Sequence, residues 1–288
     1  MTRQVQFAVV GKGLIGSAAA RYLAEAGHEV LLVGPDEPAQ RHDHGGVFAS
    51  HYDAARITRT LDRDPVWAAL AQSSLAAHGA LAAATGVHFH HPHPVLCIGG
   101  AGSALVDDLR ATARAQDLPW HEPRGTHREL ELPDGVALCA QDAPAGWIAP
   151  RQLVQAQTLA ALAAGAKVLR QPVWALREHA GGVRLILDDG GEVIARRVLL
   201  CAGAFTAPVG LVDGLPLTAE GRTVLLVRVE GALLSRLADL PCLLMDETGF
   251  DPSDLYLMPP IRYPDGHHYL KLGTGAWQQR LDDLEALQ

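Results

Sequence analysis

Val5-Gln6-Phe7-Ala8-Val9-Val10-Gly11-Lys12-Gly13-Leu14-Ile15-Gly16 decides the reading of this chain. A short apolar run breaks into a glycine loop, and an alanine-rich helix follows. Gly11 permits the tight turn out of the strand. Gly13 lacks a Cβ, so a pyrophosphate can approach the backbone, and Gly16 lets the helix pack close to the sheet. The helix N-terminus presents unpaired N–H groups and the positive end of its dipole to phosphates. Gly27 then stands where a glycine ends a helix, and His28 to Val33 reads as a second parallel strand. The loop, with Leu14 and Ile15 at the helix start, reads as a dinucleotide cradle. It does not say which dinucleotide.

The acidic residue that holds a ribose normally ends the second strand, about 20 residues after the glycines. Gly34-Pro35 stands there instead, with Asp36 and Glu37 just beyond. Either carboxylate could reach the ribose from the turn, or both are solvated turn residues. Arg41 alone is a thin case for NADP.

Outward from the loop, composition sets bounds. The 288 residues are 48% hydrophobic with a net charge of −8 and carry no dense Lys/Arg run, which gives no footprint for nucleic acid or an anionic membrane. No apolar run reaches the ~18 residues a membrane helix needs. The first strand begins almost at Met1, so no signal peptide is expected. Cys97, Cys139, Cys201 and Cys242 are scattered among apolar neighbours and read as reduced core residues of a cytoplasmic protein. Fourteen histidines invite a metal reading, above all His88, His90, His91 and His93. No Cys or carboxylate joins them at ligand spacing, so a histidine-rich surface strand is expected and no metal site.

The segment 42–59 is polar and too long for a simple turn. Asp64-Pro65 starts a helix that runs toward Gly86. Strands are expected at 87–90 and 95–98, and Ser103 caps a helix over 104–116. The stretch 120–147 reads as irregular apart from a strand at 137–139. A helix from Pro150 to Gly165 precedes a strand at 166–169. An antiparallel meander follows over 173–178, 183–187 and 192–195, then a buried-type strand over 197–203 that rejoins the parallel sheet. Strands at 223–229, 242–246, 255–258 and 269–272 follow, and 279–288 reads as a short amphipathic helix. The expected fold is α/β, in two discontinuous lobes. Residues 1–86 and 141–214 form a Rossmann-like parallel sheet with a β-meander. Residues 87–140 and 215–288 form an antiparallel substrate domain.

The N-terminal glycine loop, the meander and the strand ending in Ala202-Gly203-Ala204-Phe205 resemble two-dinucleotide-fold flavoproteins. Three stretches narrow the resemblance to the D-amino-acid oxidase superfamily, near its sarcosine oxidase and N-methyltryptophan oxidase branch. Ser50 to Arg59 resembles the segment over the flavin ring. Gly165 through Val173 resembles the strand contacting adenine. Tyr256 through Gly273 resembles the hairpin covering the flavin. The resemblance implies FAD, held without a covalent bond to any cysteine present. It implies oxidation of a secondary amine, commonly an N-methyl amino acid, with dioxygen reoxidising the flavin to give peroxide.

Carried over by position, the cofactor residues are Gly11, Gly13, Leu14, Ile15, Gly16, Asp36, Ser50, His51, Arg56, Val173 and Gly203. Arg59 would bind the substrate carboxylate, as a planar fork suits. Arg56 and His51 would flank the flavin ring, where a cation favours the reduced anion. Lys271 would stabilise the charge that appears when oxygen takes an electron, and Tyr256 would line the substrate pocket. Read without the resemblance, Arg56 and Arg59 are a solvated face and Lys271 points outward from its strand. The chain departs from the pattern at Tyr52, where a second His is expected, and at Gly275, four residues beyond Lys271, where another His is expected. It also stops before the closing part of the family pattern. Two rival readings remain open: a truncated, non-catalytic flavin-binding relative that needs a partner subunit, and an NAD(P)-dependent dehydrogenase.

Overall fold

The computed structural model describes residues 3–38, 49–132, 134–206, 211–212, 214–246 and 254–281. Strand β1 (Arg3–Val10) leads through the glycine loop into helix α1 (Leu14–Glu25), and β2 (Val30–Val33) returns parallel to β1. Strand β3 (Arg56–Thr58) follows, then α2 (Pro65–Thr85). Asp64 caps α2 as its sequence predicts: Oδ1 accepts from Val66 N at 2.8 Å, with Pro65 in the first turn. The chain continues through β4 (His90–Pro92), β5 (Val95–Gly99), α3 (Leu105–Ala115), β6 (Ala137–Gln141), β7 (Gly146–Ile148) and α4 (Pro150–Ala163). Ser103 Oγ accepts from Leu105 N at 3.0 Å, so the expected cap of α3 is present.

Strand β8 (Lys167–Leu169), the meander β9 (Val173–His179) and β10 (Gly182–Leu187), and β11 (Glu192–Leu200) come next. The last part comprises β12 (Ala219–Val229), α5 (Gly231–Arg236), β13 (Cys242–Asp246), β14 (Leu255–Arg262) and β15 (His268–Leu281).

Three sheets result. One has the order β8-β2-β1-β11-β10-β9, parallel from β8 to β11 and antiparallel through the meander. The second, β12-β15-β14-β13-β5-β6, is antiparallel except where β13 runs parallel to β5. The third, β3-β7-β4, is small and pins the start of the 56–59 stretch to Gly146–Ile148. Alternation follows burial. Val5, Ala8, Val10, Leu31 and Val33 pack on one side of the first sheet with the meander residues Val173 and Leu185. Phe7, Val9, Val30 and Leu32 pack on the other side with Ala20 and Ala24 of α1 and Ala161 of α4.

Several expectations are corrected. The segments expected at 192–195 and 197–203 merge into one strand, β11, which ends at Leu200 rather than 203 and pairs with β10 along its first half and with β1 along its length. The histidine-rich strand spans His90–Pro92 rather than 87–90, because its partner is β7, and β7 falls in a stretch that reads as irregular. The expected helix from 279 is contradicted at its start: Gln279, Arg280 and Leu281 pair with Gly221, Glu220 and Ala219 in the sheet. Residues 282–288 lie outside the described residues, as does 39–48, which contains Arg41. Among the described residues no group of three or more His, Cys, Asp or Glu is placed to hold a metal ion. The four cysteines are unpaired. Among the described residues no helix is long and apolar enough to cross a membrane.

Candidate cofactor and substrate site

The C-terminal ends of β1, β2 and β11 open into a groove of about 630 Å³. This is where ligands bind in open parallel sheets. Gly11, Gly13, Leu14, Ile15, Ser50, His51, Arg56, Val173 and Gly203 all line it. Gly16 stands behind the lining: a Cβ there would lie 1.7 Å from the Gly11 carbonyl oxygen, so its role is close packing of α1. Gly11 has φ +106°, and a Cβ on it would meet the Cys201 carbonyl oxygen at 2.1 Å. Gly13 differs. Its backbone is extended at φ −84°, and a Cβ would meet only His51 Nδ1, at 3.5 Å. Packing within the protein does not require glycine at 13, and the space above it is open. No side chain caps α1 and no acidic residue lies in its first turn, so its leading amides are left for an anion.

The ribose question takes a definite form. Asp36 does not line the groove. Its carboxylate pairs with Lys12 of the glycine loop and, at 3.1 Å, with Arg170. Glu37 is clamped by Arg151 through two bonds of 2.7 Å. A Cβ on Gly34 would meet Lys12 Cβ and N at 2.9 Å, so the loop backbone crowds the position where an acid is expected. Sequence reasoning passes over Lys12, Arg151 and Arg170, whose partners lie far away in the chain.

From the groove, the segment after Ser50 crosses to the second sheet. Burial lowers the imidazole pKa of His51 to about 4, with Glu37 opposing that shift and Lys12 and Arg56 adding to it. His51 is therefore neutral near pH 7 and brings no positive charge to the groove. Arg56 is the guanidinium beside it in the groove wall. It donates to the Ser50 carbonyl, and its Nε lies 4.0 Å from Asp53 Oδ2. Tyr52 packs edge-on to His51 at 4.6 Å, and burial raises its phenol to about 12.

Lys271 is 4% exposed and points inward from β15. Its Nζ donates to Asp53 Oδ2 at 2.5 Å and to the Ala55 carbonyl at 3.1 Å, and lies 5.6 Å from the centre of the Tyr256 ring. The outward orientation that strand alternation allows is thus ruled out. Register explains the grouping: Met258 faces Lys271 and Tyr256 faces Gly273 across the β14–β15 ladder. The Tyr256 ring covers Gly273, where a Cβ would fall 2.3 Å from the phenol oxygen. Burial, then the Asp53 charge, raises the Tyr256 phenol above its ordinary value.

A second cavity of about 250 Å³ contains Arg59 and Tyr256, with Asp62, Arg63, Asp246 and Asp254 among its walls. Arg59 Nη2 lies 3.3 Å from Asp62, and its Nε is buried with no partner among the described residues. The cofactor residues expected from sequence thus meet at the groove, with Asp36 set apart. Arg59 and Tyr256 meet at the second cavity. Lys271 lines neither and is tied by Asp53 to the strip between them.

The FAD dependent oxidoreductase family profile matches residues 6–287. The chain belongs to this family. FAD is the cofactor, and the open space over Gly13, the uncapped α1 and the size of the groove fit it. N-methyl-L-tryptophan oxidase of Yersinia pestis (strain Pestoides F) is 28% identical over 217 residues, covering 73% of this chain and 56% of that protein. The chain therefore spans little more than half the length of this relative. Among solved structures, the open form of NikD, an unusual amino acid oxidase, superposes with a TM-score of 0.76 at 20% identity, covering 99% of this chain and 73% of that one. Glycine oxidase from Geobacillus kaustophilus gives a TM-score of 0.67 at 22% identity, covering 97% and 72%. These family structures share the α/β fold with its parallel and antiparallel sheets.

Proposed function

We propose that this FAD-dependent oxidoreductase oxidises the C–N bond of an amine or N-methyl amino acid. FAD supplies the acceptor for the hydride equivalent from the carbon beside nitrogen, and dioxygen takes the electrons on to give hydrogen peroxide. The observation that supports this reading is that one segment, Ser50 to Arg59, lines the glycine-loop groove with Ser50, His51, Tyr52 and Arg56 and the second cavity with Arg59. In this reading Arg56 is the cation at the groove, Arg59 the carboxylate-binding guanidinium at the cavity, and Lys271 the ammonium tied to the same segment through Asp53.

In this reading the amides of Leu14 and Ile15 and the open backbone at Gly13 hold the pyrophosphate. Val173, Gly203 and Ser50 line the rest of the cofactor, and neutral His51 packs beside it. Arg56 supplies positive charge toward the ring. Arg59, in the cavity wall, takes the substrate carboxylate, and two parallel charge-assisted bonds would fix the orientation. Tyr256 closes the wall and excludes water. Lys271 holds a positive charge near the place where oxygen would be reduced. Residues 1–86 with 141–214 form the cofactor lobe, and 87–140 with 215–288 the substrate lobe. Four unpaired cysteines, three of them buried, favour a reducing, cytoplasmic setting.

Anaerobic mixing of the FAD-loaded protein with a panel of N-methyl amino acids tests the reaction. The visible flavin absorbance should bleach with at least one of them and return when air is admitted. Persistent yellow colour with the whole panel would oppose the reading.

A second reading has one observation behind it. Strand β12 is an edge strand on which Val224, Leu225, Leu226 and Val227 are 42, 60, 38 and 44% exposed. Apolar side chains open on both faces of an edge suit a partner subunit. A mass above the 30.6 kDa of the chain by light scattering would favour it.

A further inference from the structure

The second cavity carries an unbalanced charge. Its walls hold two guanidiniums, Arg59 and Arg63, and three carboxylates, Asp62, Asp246 and Asp254. Two pairs account for four of these groups: Arg59 with Asp62 at 3.3 Å, and Arg63 with Asp246 at 3.6 Å. Asp254 is the surplus. Its hydrogen-bond donors among the described residues are uncharged, Thr274 Oγ1 at 2.9 Å and Gly275 N at 2.7 Å. Arg222, which also comes close to Gly275, spends its guanidinium on the Gly275 carbonyl at 2.5 Å and on Glu220 at 3.0 Å. Both donors to Asp254 sit on β15 and hold the carboxylate against the cavity wall. The same cavity is lined by the Arg59 guanidinium.

A void walled by a guanidinium and by a carboxylate that has no ion pair among the described residues matches a ligand that bears the opposite charges at its two ends. The wall also supplies Leu105, Leu109, Leu244 and Leu255, an apolar surface for a methylene stem. Resting on the reading of this site as one for amino-acid substrates, we propose that Asp254 selects a substrate whose side chain ends in a cation, a basic amino acid. Arg59 takes the carboxylate, the leucines take the stem and Asp254 takes the terminal ammonium or guanidinium. Asp254 is thus a specificity-determining residue.

Calorimetry with two unreactive probes of equal length, 6-aminohexanoate and hexanoate, tests this. Neither has an α-amine to oxidise, so binding is read with or without bound FAD. The wild-type protein should bind 6-aminohexanoate at least about tenfold more tightly, the order expected of one charge-assisted contact. Asp254→Asn should bring the two probes to the same affinity. Equal affinities in the wild type, no binding of either probe, or a preference that survives Asp254→Asn would each overturn the proposal. The wild-type comparison decides even if the variant does not fold. Visible absorbance of the same sample reports FAD uptake separately. Bound FAD without a preference defeats only the side-chain assignment, whereas a preference without FAD uptake defeats only the redox reading.

Discussion

Lys271 Nζ lies 2.5 Å from Asp53 Oδ2, joining a strand of the antiparallel sheet to the segment that leaves the cofactor groove. The two residues are 218 positions apart in the chain. The lysine side chain is 6% exposed and the aspartate 23%, so the pair is shielded from water on the lysine side. An ammonium in that setting is tolerated because a carboxylate and the Ala55 carbonyl accept its protons. Removing the carboxylate leaves a buried charge with one neutral acceptor, a change that costs about 3 kcal/mol or more in comparable pairs. Asp53→Ala should lose that much by urea denaturation. Asp53→Ala with Lys271→Met should cost less than the sum of the single changes. Strict additivity would show that the pair does not couple.

The glycines of the loop should separate by role. Gly11→Ala and Gly16→Ala place a Cβ within 2.1 and 1.7 Å of carbonyl oxygens, and both should lower the melting temperature. Gly13→Ala has room in the protein and should melt close to the wild type. It should instead bind FAD at least about tenfold more weakly, because the methyl stands where a phosphate must approach. Wild-type FAD affinity in Gly13→Ala would place the pyrophosphate elsewhere.

Arg59 and Lys271 should divide the two half-reactions. Arg59→Ala should raise the Kd for carboxylate substrates by about a hundredfold, from the loss of a bidentate charged contact. Its FAD affinity should be unchanged. Lys271→Met should slow the aerobic return of flavin colour while leaving anaerobic bleaching by substrate close to the wild-type rate. Stopped-flow absorbance reads both. Equal oxygen rates would remove Lys271 from its assigned place.

Acid should weaken the fold through buried histidines. His78 is 8% exposed, its Nδ1 has no partner, and burial, with a smaller contribution from His90, lowers its pKa from 6.5 to about 4. Above pH 6.5 both folded and unfolded forms are neutral, so His78 contributes no pH dependence. Between 6.5 and about 4 the unfolded chain takes the proton first, and stability falls as pH falls. For His78 alone the loss reaches about 3 kcal/mol by pH 4. His51 adds to the same slope, screened by its opening to the groove. His78→Leu should flatten the decline measured by urea titration across this range and stay close to wild-type stability at pH 7. An unchanged slope would contradict the assignment.

What could be read from sequence, and what could not, follows from how local each signal is. The glycine loop, the Asp64 cap and the Ser103 cap are written in residues a few positions apart, and the structure shows them as read. Val173 and Gly203 reach the groove because the meander returns to the parallel sheet, a topology its turns announce. Strand β7 escaped because three residues between a Pro and a helix carry no periodicity, and only pairing with β3 and β4 makes them a strand. The 279–281 stretch reads as helical by its spacing, but pairing with Ala219–Gly221 of β12 overrides that tendency. Asp53, Lys12, Arg151 and Arg170 were invisible as functional neighbours because their partners come from other elements. His51 lines the groove, but its neutrality depends on burial, which the local sequence does not show.

The central claim is that this chain holds FAD on the Gly11–Gly16 loop, and direct titration tests it. Purified protein stripped of cofactor should take up one equivalent of FAD, with a resolved shift in the visible absorbance band and quenched flavin fluorescence. That uptake should weaken in Gly13→Ala while the melting temperature holds. A wild-type protein that stays folded and takes up no FAD at any concentration tested would contradict the account.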